Sequence, residues 1–261
     1  MFNLAALEAA LAGTIFAGKL HFSDVTGSTN TDALFAARAS APHGSVFFAN
    51  EQQAGRGRGD HAWESAAGEG LYASVLLRPM IRATILPFLP LAAGLACAEA
   101  IRSETGIEID LRWPNDLLIG ERKAGGILVE SKTEGAEVSF AVVGIGINVH
   151  QRSFADGLST QGTSLDIEAR QRISRQTLLV ALLKSLEREM ALFADPAAVE
   201  GIPARVERVS TWVYGRRVEV HGPQACVGVT AGLDANGFLL VRTPEKIVTI
   251  QTGGIRAAEM N

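Results

Sequence analysis

Helical and extended segments interleave through the first 200 or so residues without strict strand–helix–strand alternation, and after about Ser210 only short extended runs remain. This pattern constrains the fold most, because a doubly wound parallel sheet needs a helical crossover after nearly every strand. An α+β fold with a mixed sheet is expected instead, in residues 1–210, with a small β-barrel appended in residues 211–261.

In detail, Leu4 to Leu11 reads as a short Ala-rich helix and Lys19 to Val25 as a strand. Thr26-Gly27-Ser28-Thr29-Asn30 is a turn whose hydroxyls are placed to cap a helix over Thr31 to Ala39. Strands follow at Ser45 to Ala49 and Leu71 to Leu77, on either side of a polar, glycine-rich stretch from Gln52 to Ser65. A long helix is expected over Ile85 to Glu104, then extended chain from Ile107 to Arg112. Leu117 to Ile119 and Gly126 to Glu130 read as strands flanking a hairpin-like connection, Gly120-Glu121-Arg122-Lys123. Phe140 to Val149 is β-rich, and leucines at 178, 179, 182, 183 and 186 have helical spacing within Ser174 to Phe193. Beyond Ser210, Arg217 to Val220, Ala225 to Thr230, Phe238 to Val241 and Lys246 to Ile250 read as four short strands.

Composition narrows the function. Apolar residues make up 47%, enough to bury a sizeable core. With 24 Lys and Arg against 28 Asp and Glu, the net charge of -4 argues against a protein that coats nucleic acid. A local basic cluster could still serve a small phosphate ligand. Cys97 and Cys226 lie far apart in apolar surroundings, with neither a metal-ligand nor a disulfide pattern. No basic segment precedes an apolar run at the N-terminus, and Pro87, Pro90 and Glu99 interrupt the most apolar stretch. A cytoplasmic protein with no membrane association is expected.

Four segments carry candidate chemistry. In Gly55-Arg56-Gly57-Arg58-Gly59-Asp60-His61-Ala62-Trp63, glycines let backbone approach a ligand, and two guanidiniums can fork onto carboxylate or phosphate oxygens. On its own such a run is more readily a solvated loop, and neither the P-loop nor the dinucleotide fingerprint is present. In Arg112-Trp113-Pro114-Asn115-Asp116, Pro114 biases Trp113 toward extended geometry, so a rigid corner presents Asn115 and Asp116. Lys123 stands seven positions beyond Asp116, and Gly125-Gly126 beside it would let a flat ligand lie on bare backbone. Gly27-Ser28-Thr29-Asn30 and Gly144-Ile145-Gly146-Ile147-Asn148 complete the set; glycines in a β-branched strand mark a bulge or a close neighbour.

The order of these segments, Ser-Thr-Asn, Gln-Gln-Ala-Gly-Arg-Gly-Arg with a later Trp, Trp-Pro-Asn-Asp, Lys, Gly-Ile-Leu and Gly-Ile-Gly-Ile-Asn, resembles the biotin–protein ligases. Gly228, Gly232-Leu233-Asp234 and Gly237 resemble the SH3-like domain that ends members of that family. The resemblance implies ATP-dependent activation of biotin to biotinyl-5′-AMP. Transfer to a lysine of a biotin carboxyl carrier protein, the acetyl-CoA carboxylase subunit, would follow. It implies electrostatic catalysis by Lys123 and Arg58, with Asp116 orienting the incoming lysine or helping to take its proton. Biotin contacts would come from Ser28, Thr29, Asn30, Gln52, Arg56, Gly57, Arg58, Lys123 and Gly126. Nucleotide contacts would come from Arg56, Arg58, Trp63, Asn115 and Asn148. Mg2+ is expected with ATP, without a dedicated protein metal cage.

Two departures stand out. Gly59-Asp60-His61 replaces a further Arg-Gly-Arg common in the family, and Arg112 stands where many members have lysine. Only about 20 residues precede the first expected strand, too few for the helix-turn-helix some bacterial members carry, so no direct DNA binding is expected. Monomer and homodimer both stay open. The alternatives are a lipoate–protein ligase, whose Arg-Arg-x-Ser-Gly-Gly-Gly signature is not found, and a non-catalytic biotin sensor. A lipoyl or octanoyl transferase would need an activated cysteine.

Overall fold

The computed structural model describes residues 2–59, 61–155, 157 and 159–258. Strands β1 (Leu20–Thr26), β2 (Ser45–Gln52), β3 (Gly70–Leu77), β4 (Asp110–Arg112), β5 (Asp116–Ile119), β6 (Arg122–Glu134) and β7 (Glu137–Asn148) form one sheet, ordered β1-β2-β3-β7-β6-β5-β4. β1 and β2 pair in parallel and the remaining neighbours antiparallel, so the sheet is mixed, as expected. Helices α1 (Leu4–Ala10), α2 (Thr29–Arg38), α3 (Phe88–Thr105), α4 (Leu165–Ala169), α5 (Arg175–Ala191), α6 (Pro196–Glu200) and α7 (Ile202–Val209) pack around it. A second, antiparallel sheet holds β8 (Tyr214–His221), β9 (Cys226–Leu233), β10 (Leu239–Arg242), β11 (Ile247–Ile250) and β12 (Gly254–Ala257), ordered β11-β10-β9-β8-β12. This is the small C-terminal β unit of the expected SH3-like type, with five strands rather than four.

The two faces of the large sheet are treated differently, and alternation along β7 shows how. Val143, Ile145 and Ile147 point into the main core with α3 and α5. Phe140 and Val142, on the other face, pack with Leu76 under Ala33 and Ala37 of α2. At 10 residues, α2 is only about 15 Å long, so it cannot cover that face to its end. Gly144, next in the same alternation, meets Asn30 in the first turn of α2, and Gly146 and Asn148 lie beyond it. The uncovered strip of sheet is where the candidate site lies.

α3 is apolar nearly all round because the sheet, α5 and α7 surround it; Leu89, Ala92, Ala96, Cys97, Ala100 and Ile101 are fully buried. It ends at Gly106, whose φ of 73° closes the helix in the left-handed region, with Gly106 N–H donating to Arg102 O at 2.9 Å. The same core continues into the small sheet through Trp212, Val213, Val218, Val220, Leu239, Val241, Ile250 and Ile255. Trp113 Nε1 donates to Gly237 O at 3.1 Å across the junction.

Several boundaries move for physical reasons. The helix expected from Ile85 breaks into a 3-10 turn, Ala83–Ile85, and a helix starting at Phe88, because Pro87 and Pro90 are tolerated only near a helix start. α2 begins at Thr29, two residues early, and its N-cap Ser28 makes no side-chain capping bond, so that hydroxyl is not spent on the helix as the turn chemistry suggested. The hairpin connection contracts to Gly120-Glu121, with Gly120 at φ 59°, and Lys123 belongs to β6. Extended chain at 107–112 is a strand only over Asp110–Arg112. α4, α6, α7 and β12 are too short, or too interrupted by glycine and proline, for periodicity to have announced them.

Candidate active site

A cleft of about 650 Å³ opens over the bare strip of β7 and β6. It is lined at one end by Ser28, Thr29, Asn30 and Gln52, in the middle by Lys123, Asp116 and Trp63, and at the other end by Asn148 and Gln151. The sequence-predicted site residues Arg56, Gly57, Arg58, Asn115 and Gly126 also line it. All the predicted site residues therefore converge on one cleft, although they come from five separate stretches of chain. Asp60, within the departure at 59–61, lies outside the described residues.

The glycines of β7 make room for this. A Cβ at Gly144 would lie 1.9 Å from Asn30 Oδ1, and one at Gly146 would lie 2.6 Å from Trp63 Nε1. Asn30 and the Trp63 indole thus rest on backbone. Trp63 also lies against Gly126, and the Lys123 ammonium sits 5.5 Å from its ring centroid, a cation–π contact.

At the first end, Ser28, Thr29 and Asn30 are 4–5% exposed. Gln52 Oε1 accepts from Thr29 N at 2.9 Å and from Thr29 Oγ1 at 3.1 Å, while Gln52 Nε2 donates to Ser65 Oγ at 2.8 Å. Ser74 Oγ donates to Asn30 Oδ1 at 2.6 Å and lies 2.7 Å from Thr29 Oγ1. Asn30 Nδ2 donates to Glu130 Oε2 at 3.0 Å. Buried polar groups bonded in this way hold one geometry, because breaking any bond leaves an unpaired partner.

In the middle, Asp116 takes two cations. Lys123 Nζ lies 2.6 Å from its Oδ1, and Arg112 donates to its Oδ2 through Nε at 3.1 Å and Nη2 at 2.7 Å. Burial alone would raise the Asp116 carboxyl, but Lys123 and Arg112 outweigh it and hold its pKa below the usual carboxylate range. Arg112 in turn lies 5.1 Å from the centroid of Trp212, and Arg216 lies 3.7 Å from the same ring. The planar guanidinium that replaces lysine is therefore stacked as well as forked. Asn115 Nδ2 donates to Ile127 O at 3.0 Å, so it secures the corner to β6.

The Gly-Arg run is a small hairpin: Gly57 N donates to His61 O at 2.7 Å and Trp63 N to Gly55 O at 2.9 Å. Its arginines reach to opposite sides. Arg56 forks onto Glu130, Nη2 to Oε1 at 2.8 Å and Nη1 to Oε2 at 3.1 Å. Arg58 crosses to the small sheet, where it bonds Gly253 O, and Thr252 Oγ1 at 3.2 Å. Burial lowers the Arg58 pKa and the Asp116 charge acts against that shift; a guanidinium so perturbed remains a cation near neutrality.

Gln151, Thr252 and Gly253 also line the cleft, and Glu130, Ser74 and Ser65 bond residues that line it; sequence reasoning missed all six. A charge at Glu130, closing the apolar run Ile127-Leu128-Val129, was the one available signal. Cys97 is buried and its thiol is pushed up by that burial, as is the thiol of half-buried Cys226, so neither is an activated nucleophile.

A model of the biotin/lipoate A/B protein ligase family matches residues 22–148. The bifunctional ligase/repressor BirA of Bacillus subtilis is 33% identical over 250 residues, covering 90% of this chain and 73% of the relative. The biotin–[acetyl-CoA-carboxylase] ligase of Mycobacterium tuberculosis is 31% identical over 241 residues, covering 88% of this chain and 85% of the relative. Among solved structures, the biotin protein ligase from Aquifex aeolicus in complex with biotin and ATP superposes with a TM-score of 0.78 at 29% identity, covering 92% of this chain and 98% of that one. Identity at this level across both sheets, together with the gathered cleft, means that the chain belongs to the biotin/lipoate A/B protein ligase family, among its biotin–protein ligases.

Proposed function

We propose that the cleft activates biotin with ATP, forming biotinyl-5′-AMP and pyrophosphate, and passes the biotinyl group to a lysine of a biotin carboxyl carrier protein. The observation that carries this reading is the Lys123 ammonium, held 2.6 Å from Asp116 midway between a buried polar end and an open end of one groove. A carboxylate must attack an α-phosphate there, and a fixed cation stabilises charge that develops on the transferring group. In the second step the acceptor amine attacks the acyl carbonyl and AMP leaves.

The division of labour follows the groove. Ser28, Thr29, Asn30 and Gln52 bind the ureido ring and tail, with Gly126 as floor and Gly57 in the loop. Lys123 and Arg58 stabilise the phosphoryl centre, and Arg56 closes the loop over the adenylate. Trp63, Asn115 and Asn148 flank the nucleotide. For Asp116, the depressed pKa argues against taking the proton of the incoming lysine, since a base active near neutrality needs a raised pKa, and leaves it the orienting role; its pair with Lys123 adds the holding of that ammonium. The Gly55–Trp63 hairpin opens when empty and orders over the adenylate, shielding a mixed anhydride from water.

Mg2+ enters with ATP. It would neutralise phosphate charge during the transfer; among the described residues no group of three or more His, Cys, Asp or Glu could hold a metal ion. Residues 1–210 form the catalytic unit and residues 211–261 the appended one, which contributes His221, Pro223 and the stretch 252–256 to the cleft wall. No helix among the described residues is long and apolar enough to cross a membrane, and the reading places the enzyme with its carrier in the cytoplasm.

The test is labelling of an apo carrier domain of acetyl-CoA carboxylase in the presence of biotin and ATP, with lipoate as competitor. Labelling that requires both biotin and ATP and resists excess lipoate is expected. Labelling by lipoate and none by biotin would overturn the reading, and biotin binding without pyrophosphate release would make the protein a sensor.

A further inference from the structure

The chemistry turns on Lys123, yet the large sheet holds its backbone poorly. On one side, β5 pairs Leu117 with Gly125 and Leu118 with Lys123, so Ala124 is an extra residue of β6. Such a bulge re-aims a side chain and interrupts the ladder beside it. On the other side, β7 accompanies β6 only as far as the pair of Ile147 with Gly125. Val149, next in register to face Lys123, turns away, and its N–H donates to Glu69 O at 3.1 Å.

Residues 161–163 take the place that β7 vacates. Lys123 N donates to Gln161 O at 2.8 Å and Thr163 N to Lys123 O at 2.9 Å, a single parallel bridge centred on Lys123 and Gly162. Glu168, on α4, braces this bridge. Its carboxylate accepts from Arg122 Nη2, 2.8 Å from Oε1 and 2.9 Å from Oε2, and from the Thr163 hydroxyl. Thr163 is buried, and the Glu168 side chain is 14% exposed. One anion thus clamps the residue before Lys123 on β6 to the residue after Gly162 on the facing segment. Hydrogen bonds to an ionised acceptor are stronger than neutral ones, so the clamp stiffens a bridge that has only two bonds of its own.

The consequence appears at the far end of the side chain. Lys123 carries its ammonium on a flexible four-carbon stem, and Asp116 fixes only the tip. A cation stabilises a transition state in full only when it is in place beforehand. Glu168 itself does not line the cleft, so it acts on the chemistry only through the residues it holds.

Resting on the adenylation reading, we propose that Glu168 is a positioning residue for adenylate formation. Through Arg122 and Thr163 it fixes the backbone of Lys123, and so the direction from which the ammonium meets the transferring phosphoryl group.

The experiment measures single-turnover adenylate formation by the whole chain at saturating biotin and ATP. Glu168→Ala is expected to lower the rate constant by about tenfold, the scale of a displacement below 1 Å. Calorimetric dissociation constants for biotin and ATP should stay within about twofold. Glu168→Gln keeps a carbonyl acceptor and is expected to come within about threefold of the wild type. In a Lys123→Ala background, Glu168→Ala should cost no more than about twofold further, because the two residues act as one unit. Losses that multiply across the two sites would overturn the proposal. So would a wild-type rate per biotin-binding chain, which is the outcome of a role in folding alone. Thr163→Val removes one arm of the clamp with little change of shape and serves as the second variant should Glu168→Ala fail to fold; a loss of about threefold in the same rate constant is expected. A further readout needs no turnover. Competitive acetylation with acetic anhydride, followed by mass spectrometry, compares Lys123 with the exposed Lys132 in the same sample. Relative labelling of Lys123 should rise by about threefold in Glu168→Ala as its pairing with Asp116 loosens, and unchanged labelling would overturn the proposal. If the wild type formed no adenylate, the adenylation reading would fall, while the labelling comparison would still judge Glu168.

Discussion

At the Thr29–Gln52 end of the groove, polar side chains are buried and bonded mainly to one another, whereas Arg56 and Arg58 of the neighbouring hairpin are held by partners on other elements. Arg56 is 44% exposed at its side chain, and its Glu130 partner 25%, so their pair is of the kind worth about 0–1 kcal/mol. The first region has settled its geometry during folding and can receive a ligand without rearrangement. The second can exchange its partners cheaply, which suits a segment that must admit substrate and then cover an intermediate. Glu130 joins the two, since one carboxylate serves both Asn30 and Arg56. Lys123 and Asp116 stand at the boundary, fixed but accessible.

The largest effect should come from that boundary. Lys123→Ala is expected to lower adenylate formation by about 100- to 1000-fold in a single-turnover assay, the usual cost of one oriented electrostatic donor. Asp116 keeps Arg112 in that variant, so the fold should survive, with a melting temperature lowered by the loss of one partner of a buried charge; near-normal turnover would mean that another group stabilises the phosphoryl centre.

Gly144→Ala tests the fixed end. The new Cβ must displace Asn30 Oδ1 from 1.9 Å, and with it the bonds to Ser74 and Glu130. Biotin affinity measured by calorimetry should fall about tenfold or more, while ATP binding alone changes within about twofold. A variant that binds biotin normally would show that Asn30 is dispensable.

Asp116 sets a pH dependence. Because its folded-state pKa lies below the usual value of about 3.9, its pairing stabilises the protein fully above that value and is lost as pH falls through the lower, folded-state value. Relative to the wild type, Asp116→Asn should therefore show a smaller loss of thermal stability on acidification below about pH 4, and no difference in slope between pH 6 and 8.

The smallest effect should come from the link. Glu130→Gln keeps the hydrogen bonds it can but removes the charge facing Arg56. Release of preformed biotinyl-5′-AMP should accelerate by about threefold, with less change in the affinity for biotin, as for a partly exposed ion pair. Equal changes in both would mean that Glu130 serves only the biotin end.

Legibility in the sequence followed the same division. Each segment, Trp-Pro-Asn-Asp with Lys123 or the glycines within a β-branched strand, has an ordinary structural use when taken alone, and it was their joint order and the resemblance it carries that pointed to the site. The mixed sheet and appended β unit followed from the order of segments. What could not be read was pairing across the chain. Arg58 meets Gly253 over 195 positions of sequence, and Arg56 meets Glu130 over 74. Such contacts depend on how the small sheet and β6 are placed, and no local pattern encodes that. Glu168 stayed hidden for a related reason, since a lone glutamate on a short helix acquires meaning only once Arg122 and Thr163 reach it.

The claim that this groove joins biotin to AMP is tested most directly by exchange of labelled pyrophosphate into ATP, measured with and without biotin. The account predicts exchange that depends on biotin and disappears in Lys123→Ala. Exchange that proceeds without biotin, or that requires lipoate in its place, would contradict it.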